Sequence, residues 1–329
     1  MQLKAVAFPD PSHAWVAGDS WQRASTGTVY TATNRGEWTL QKSEANCSDL
    51  LAAAFSNARC GWVVGWAQMD INGRPEGGDV NVILATTDGG ATWHKQPSGT
   101  DYELFGIACA STTKAWAVGG FGLDKGIITA STDGGDRWKT QYLTKNGSLQ
   151  AVAFADVRHG WAVGSPVGGD WQPSIIVATT NGGAIWKQQV SVADYHLDSV
   201  ACPSARDAWA AGGNGSGRRV ILATTDGGAS WKVQYAGGGA DFSGIAFADA
   251  THGWAVGGDT ILATTDGGRS WKPQHSGTTM GLCGVAFADV SHGLAVGNSF
   301  DANPDPMDAN LTGSTILTTS DGGATWEHK

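Results

Sequence analysis

Seven copies of one motif in 329 residues, about 47 residues per copy, predict an all-β chain folded as a seven-bladed β-propeller with four-stranded antiparallel blades. Three observations carry this. The stretch Thr264-Thr265-Asp266-Gly267-Gly268-Arg269-Ser270-Trp271 recurs as Thr86–Trp93, Ser131–Trp138, Thr179–Trp186, Thr224–Trp231 and Thr319–Trp326, with a worn copy at Thr33-Asn34-Arg35-Gly36-Glu37-Trp38. Ahead of each copy stand two short apolar runs with strand character. No amphipathic helical periodicity of useful length interrupts them.

The elements follow in order. An A strand opens each copy, at Leu3–Phe8, Leu50–Phe55, Leu104–Cys109, Leu149–Phe154, Leu197–Cys202, Phe242–Phe247 and Leu282–Phe287. After a short turn comes a B strand, at Trp15–Gly18, Trp62–Gly65, Trp116–Gly119, Trp161–Gly164, Trp209–Gly212, Trp254–Gly257 and Leu294–Gly297. A β-rich C run such as Ile261–Thr265 leads into Asp-Gly-Gly, and a short D run begins near the Trp. Two strand-like runs separated by Asp-Gly-Gly read as a tight hairpin, since glycine admits φ > 0 and Asp folds back onto turn N–H groups. The Trp supplies burial, each indole hiding roughly 150–250 Å², worth at most about 4–6 kcal/mol. The copies divide the chain into blades at approximately 1–45, 46–98, 99–143, 144–190, 191–236, 237–277 and 278–329. They are in phase, so blade 1 is expected to pack on blade 7 without a shared blade.

The repeated pattern Ser/Thr-x-Asp-x-Gly-x-x-Trp resembles the Asp-box, or BNR repeat, of sialidases, sortilin-like receptors and some endoglucanases. That resemblance implies a structural role, in the turn between strands C and D, for Asp88, Asp133, Asp226, Asp266 and Asp321. Asn181 and Asn34 replace the Asp in two copies, which argues against a catalytic or metal role for the set. With Ala-Phe-Ala-Asp, Gly-Trp-Ala-Val-Gly and Thr-Thr-Asp-Gly-Gly-x-x-Trp in succession, the whole chain resembles the photosystem II stability and assembly factor family. This implies a seven-bladed propeller and a role in assembly. The basic surface patch on which that family's role depends has no matching cluster here.

Composition narrows the partners. A net charge of −9 with scattered Lys and Arg argues against nucleic acid and anionic membranes, and no apolar run approaches the ~20 residues that span a bilayer. The five cysteines, Cys47, Cys60, Cys109, Cys202 and Cys283, form no C-x-x-C pair and give neither a zinc signature nor a disulfide framework. Cys109 and Cys202 occupy the slot that holds Phe8, Phe154 and Phe247 elsewhere and read as small buried hydrophobes. No signal peptide is visible, so a cytoplasmic location is expected unless the chain is a mature or trimmed form. A monomer without cofactor or metal is expected.

In an A-B-C-D meander the A–B and C–D turns share one face, and the B–C and D–A connections share the other. The first face is uniform, with His13, His159, His252 and His292 at matching turn positions, each read as a local hydrogen-bonding residue. The second face diverges between copies, and function is expected there. Long B–C loops bring Asp70 and Arg74 in blade 2 and Asp301, Asp305 and Asp308 in blade 7. Trp21, Trp66 and Trp171 join them from blades 1, 2 and 4, making an aromatic-edged rim. A variable position near the start of strand A, held by Lys4, Leu51, Phe105, Gln150, Asp198, Ser243 and Cys283, is expected to shape the channel mouth.

Enzyme signatures are missing. There is no Phe/Tyr-Arg-Ile-Pro motif, no Gly-x-Ser-x-Gly elbow, no Walker loop and no EF-hand spacing among Asp301, Asp305 and Asp308. The sequence therefore points to a non-enzymatic binding or assembly scaffold that uses the B–C loop face for a protein partner or a glycan. The alternative is a carbohydrate-binding or glycoside-hydrolase-like protein using rim carboxylates and Trp residues of blades 7, 1, 2 and 4.

Overall fold

The computed structural model describes residues 2–20, 26–34, 36–44, 47–67, 81–121, 125–165, 174–189, 195–299 and 313–329. Among them, 28 strands form seven four-stranded antiparallel sheets, each from four consecutive strands. The sheets span 2–44, 47–96, 103–143, 148–188, 196–238, 244–274 and 281–328, and they are numbered blades 1 to 7. The chain is a seven-bladed β-propeller. Among the described residues no helix is long and apolar enough to cross a membrane.

Burial explains why the strands lack simple alternation. Each sheet is sandwiched between two neighbours, so strands B and C are buried on both faces, as at Gly253–Gly257 and Asn81–Thr86. The outer D strands, such as Lys272–Gln274, stay largely exposed. Five indoles, Trp15, Trp116, Trp161, Trp209 and Trp254, are among the largest wholly buried side chains. The ring closes without a shared blade: Leu3, Ala14 and Val16 of blade 1 pack against Leu294, Val296 and Ile316 of blade 7.

The repeated turns are local hydrogen-bond networks. Thr264 Oγ1 donates to Asp266 Oδ1 at 2.8 Å, and the Gly268 N–H donates to Thr264 Oγ1 at 2.8 Å. Ser270 closes the turn, its N–H reaching Asp266 Oδ1 at 2.9 Å and its hydroxyl reaching Oδ2 at 2.6 Å. Asp88, Asp226 and Asp321 repeat this set, and Asp133 repeats it without a hydroxyl donor to its second oxygen. In the copy bearing Asn181, an amide oxygen accepts from Thr179 Oγ1 and the Ile185 N–H instead. Hydrogen bonds from the residue before the Trp hold Asp88, Asp266 and Asp321 down at about 2.

A second tie joins this turn to the A–B turn: the Gly267 N–H donates to Thr251 O at 2.9 Å, and Asn34, at φ 50°, does the same to Ser12 O in blade 1. The A–B and C–D turns thus share one face. On it, each His of that turn pairs through Nδ1 with the Asp three residues before it, at 2.9 Å for His13–Asp10 and 2.8 Å for His292–Asp289.

One interblade device escaped the sequence reading. A Gln three residues after the turn Trp reaches into the next blade, as where Gln234 Nε2 donates to Gly267 O at 3.1 Å and Gln274 Nε2 donates to Gly322 O at 3.0 Å. Its amide oxygen accepts from an indole N–H, that of Trp326 for Gln274 and those of Trp62 and Trp138 for Gln96. The second turn glycine permits this approach, since a Cβ on Gly268, at φ 81°, would lie 1.8 Å from Gln234 Oε1. Gly268→Ala is expected to cost about 1–3 kcal/mol in thermal or denaturant unfolding, combining strain with a displaced clamp. The repeated Gln at a fixed offset was the signal available in the sequence.

Candidate functional site

Strand A lines the central channel, and a bulge in it aims one side chain inward. In blade 1 the A–B pairing skips Lys4, between Leu3↔Gly18 and Ala5↔Ala17. The pairing skips Leu51, Gln150, Asp198 and Cys283 in the same way. The glycine ending strand B makes this possible: a Cβ on Gly18 would sit 1.9 Å from Gln2 O, and one on Gly212 would sit 2.0 Å from His196 O. The extra residue, unpaired in the ladder, turns toward the axis. The result is an open cavity of about 260 Å³ whose wall includes Lys4, Leu51, Phe105, Gln150, Asp198, Ser243 and Cys283. The variable positions picked out in the sequence meet at this mouth.

Two polar clusters flank it, and neither was foreseen. Asp19, next to the end of strand B of blade 1, is 5% exposed and lies close to Asp49, near the start of strand A of blade 2. Asp19 Oδ1 accepts from the Gln2 N–H at 3.0 Å, and Asp49 Oδ2 accepts from Trp66 Nε1 at 3.0 Å. Burial, with the Asp49 carboxylate adding to it, pushes Asp19 up to about 6. Asp49 Oδ1 is buried without an N–H or O–H donor.

The second cluster spans blades 5 and 6. His196 Nε2 lies 3.1 Å from Asp241 Oδ2 and 3.5 Å from Asp198 Oδ2. Asp241 Oδ2 also accepts from the Gly215 N–H at 3.0 Å, and a Cβ on Gly213 would lie 1.8 Å from Asp241 Oδ1. Burial raises Asp198 to about 6, opposed by His196 and reinforced by Asp241. Glu103, in the position of blade 3 that Asp49 holds in blade 2, is likewise raised by burial. Asp198 and Lys4 are on the cavity wall itself, while Asp19, Asp49, Glu103, His196 and Asp241 lie beside it at the ends of the same strands or paired with Asp198. Among the described residues no three His, Cys, Asp or Glu side chains are arranged to hold a metal ion.

Of the rim residues read from the sequence, Trp66 is half-buried with its N–H on Asp49, which ties it to this mouth. Trp21, Asp70, Arg74, Trp171, Asp301, Asp305 and Asp308 lie outside the described residues. Asp19, Asp49, His196 and Asp241 carried a weak signal: each neighbours a repeated Leu, Phe or Gly at the A–B register, where other copies hold Gln, Glu, Ser, Gly, Trp or Asn.

No protein-family model matches the chain, and no curated protein does. Solved structures do. YCF48 from Cyanidioschyzon merolae shares 18% identity and a TM-score of 0.62 over 97% of this chain and 95% of that one. A structure of YCF48 bound to D1 peptide shares 18% identity and a TM-score of 0.58, over 85% of this chain and 80% of that one. The GH74 xyloglucanase from Xanthomonas campestris shares 14% identity and a TM-score of 0.67, covering 98% of this chain, which spans 52% of that enzyme's length. At such identities the likeness is one of architecture, and the chain is similar to these proteins as a seven-bladed β-propeller.

Proposed function

We propose that this protein is a non-enzymatic binding scaffold that receives a cationic segment of a protein partner over the channel mouth, on the face carrying the B–C loops. The observation that carries this reading is the acidic mouth: Asp198 lies on the wall of a cavity of about 260 Å³ that holds one lysine, and Asp19, Asp49, Glu103 and Asp241 stand at the same end of the neighbouring strands. A wall with apolar members at Leu51 and Phe105 and a carboxyl at Asp198 suits a Lys or Arg side chain, whose stem is apolar and whose head is charged. The likeness in fold to a propeller solved with a bound peptide agrees with this use of the architecture.

The test is fluorescence anisotropy of a labelled panel of basic, neutral and acidic peptides on wild type and on an Asp198→Asn, Asp241→Asn variant. Basic peptides are expected to bind selectively, more weakly as salt rises, and about tenfold more weakly, or ~1.4 kcal/mol, to the variant. Equal binding of basic and acidic peptides sets the reading aside.

The second reading, carbohydrate recognition or glycoside hydrolysis by the rim, draws support from the fold shared with GH74 enzymes. A glycan array on wild type and on a Trp21→Ala, Trp171→Ala variant tests it, through selective binding that the variant loses.

A further inference from the structure

The blade-to-blade seams are built from a small set of parts, and one seam lacks nearly all of them. The strand-B indole of one blade stacks on the strand-A ring of the next: Trp15 on Phe55 at 3.8 Å, Trp116 on Phe154 at 3.5 Å, Trp209 on Phe247 at 3.7 Å and Trp254 on Phe287 at 3.4 Å. Beneath each of these four Phe rings lies a glycine, and a Cβ on Gly253 would come 2.4 Å from Phe247 Cζ. Where alanine takes that place, at Ala115 and Ala208, the ring is replaced by Cys109 and Cys202. Phe goes with Gly and Cys with Ala, because the alanine methyl fills the space the ring would need.

Blade 1 breaks this complementarity, placing Phe8 over Ala14. Across the seam, blade 7 offers Leu294 instead of Trp, which makes room for the displaced ring but gives up the stack. A small cavity of about 20 Å³ remains, lined by Phe8, Ala14, Trp38 and Leu294 among others. The clamp is missing too: Lys329 stands where five other blades place the reaching Gln, and the turn it would grip, 33–38, has no Gly-Gly. Besides the aliphatic packing of Leu3, Ala14 and Val16 on Leu294, Val296 and Ile316, this seam is held by a polar clip at the opposite end. The Leu3 N–H donates to Asn298 Oδ1 at 2.7 Å, Asn298 Nδ2 donates to Leu3 O at 2.7 Å, and Cys283 Sγ donates to Leu3 O at 3.0 Å.

We infer that the ring has a built-in gate at the seam between blades 7 and 1, latched by Asn298 on the Leu3 backbone. Lys4 and Cys283 lie on the mouth wall on either side of that seam, so its opening widens the entrance to the central cavity. The other seams stay shut because each combines a buried indole with a Gln clamp, an aromatic stack or both.

Hydrogen–deuterium exchange on the full chain, read by mass spectrometry, tests this. In wild type, Gln2–Asp10 and Gly281–Asn298 should exchange together, about tenfold faster than the strands at the seam between blades 4 and 5, His196–Gly213. Asn298→Ala should speed exchange in both segments and leave 148–238 unchanged. Ala14→Gly combined with Leu294→Trp, which rebuilds the Phe-on-Gly stack, should slow both. Exchange in these two segments no faster than in His196–Gly213 overturns the gate, and so does fast exchange confined to Gln2–Asp10. The wild-type comparison stands even where a variant does not fold.

Discussion

Trp254→Ala is expected to cost about 3–5 kcal/mol and to lower the thermal midpoint more than any substitution at the closing seam. The indole is 2% exposed, stacks on Phe287 at 3.4 Å and donates Nε1–H to Gly322 O at 3.0 Å. Its removal leaves a cavity between blades 6 and 7, and that carbonyl keeps only the Gln274 clamp at 3.0 Å. The seam cannot collapse onto the space, because strands B and C on both sides belong to hydrogen-bonded sheets. A double-mutant cycle with Phe287→Leu should return a coupling of about 0.5–1.5 kcal/mol for the stack itself. Leu294→Ala, at the closing seam, which has neither the strand-B indole nor a stack, should cost about 2–3 kcal/mol. A Trp254→Ala cost below that of Leu294→Ala in urea unfolding would refute the idea that the indole is the main interblade anchor.

Asp19→Asn should stabilise the protein at pH 7.5 and lose that advantage near pH 4. The unfolded Asp19 carboxyl ionises near 3.8 and the folded one near 6. Between those values the folded chain keeps a proton that the unfolded chain has released, so stability falls as pH rises through this window and then levels. A shift of this size corresponds to about 3 kcal/mol as an upper bound, and about 1–2 kcal/mol is expected once solvent relaxation is allowed for. Asparagine removes the cost because its amide can donate to Asp49 without carrying charge. Asp198 titrates over the same window with the same sign. The turn aspartates act oppositely: with Asp88, Asp266 and Asp321 held at about 2 from an ordinary 3.8, the stability they give is present above pH 4 and lost below it. The two effects together place the stability maximum of the wild type on the acid side of neutrality. Urea melts of wild type and Asp19→Asn from pH 3 to pH 8 measure this, and a difference independent of pH would exclude a raised Asp19 carboxyl.

The legibility of the molecule was uneven. The hairpin turn was readable because Thr264, Asp266, Gly268 and Ser270 satisfy one another within seven residues, so spacing alone specifies the network. The Phe-with-Gly and Cys-with-Ala pairing six residues apart was present in the sequence but was not recognised, because its meaning depends on a third residue in the preceding blade. The Gln clamp was hidden for the same reason, since its partner carbonyl lies 33 residues away for Gln234 and 48 for Gln274. The expected rim of loop carboxylates and Trp residues falls, apart from Trp66, outside the described residues.

What the amino-acid sequence alone determined is the repeat, and with it the strands, the turns, the number of blades and the face on which the copies diverge. These are local properties: short apolar strand runs, turn chemistry and a period that each blade satisfies within itself. Only the tertiary structure decided which side chains meet. Asp19 lies near Asp49 across 30 residues and His196 faces Asp241 across 45, because adjacent blades pack with the start of one strand A beside the paired A and B strand ends of the blade before it. The strand-A bulge then turns Lys4 and Asp198 inward by adding one unpaired residue to the ladder. A one-residue offset of that kind changes the direction of a side chain, and it takes physical form only when the glycine opposite lets the two backbones approach.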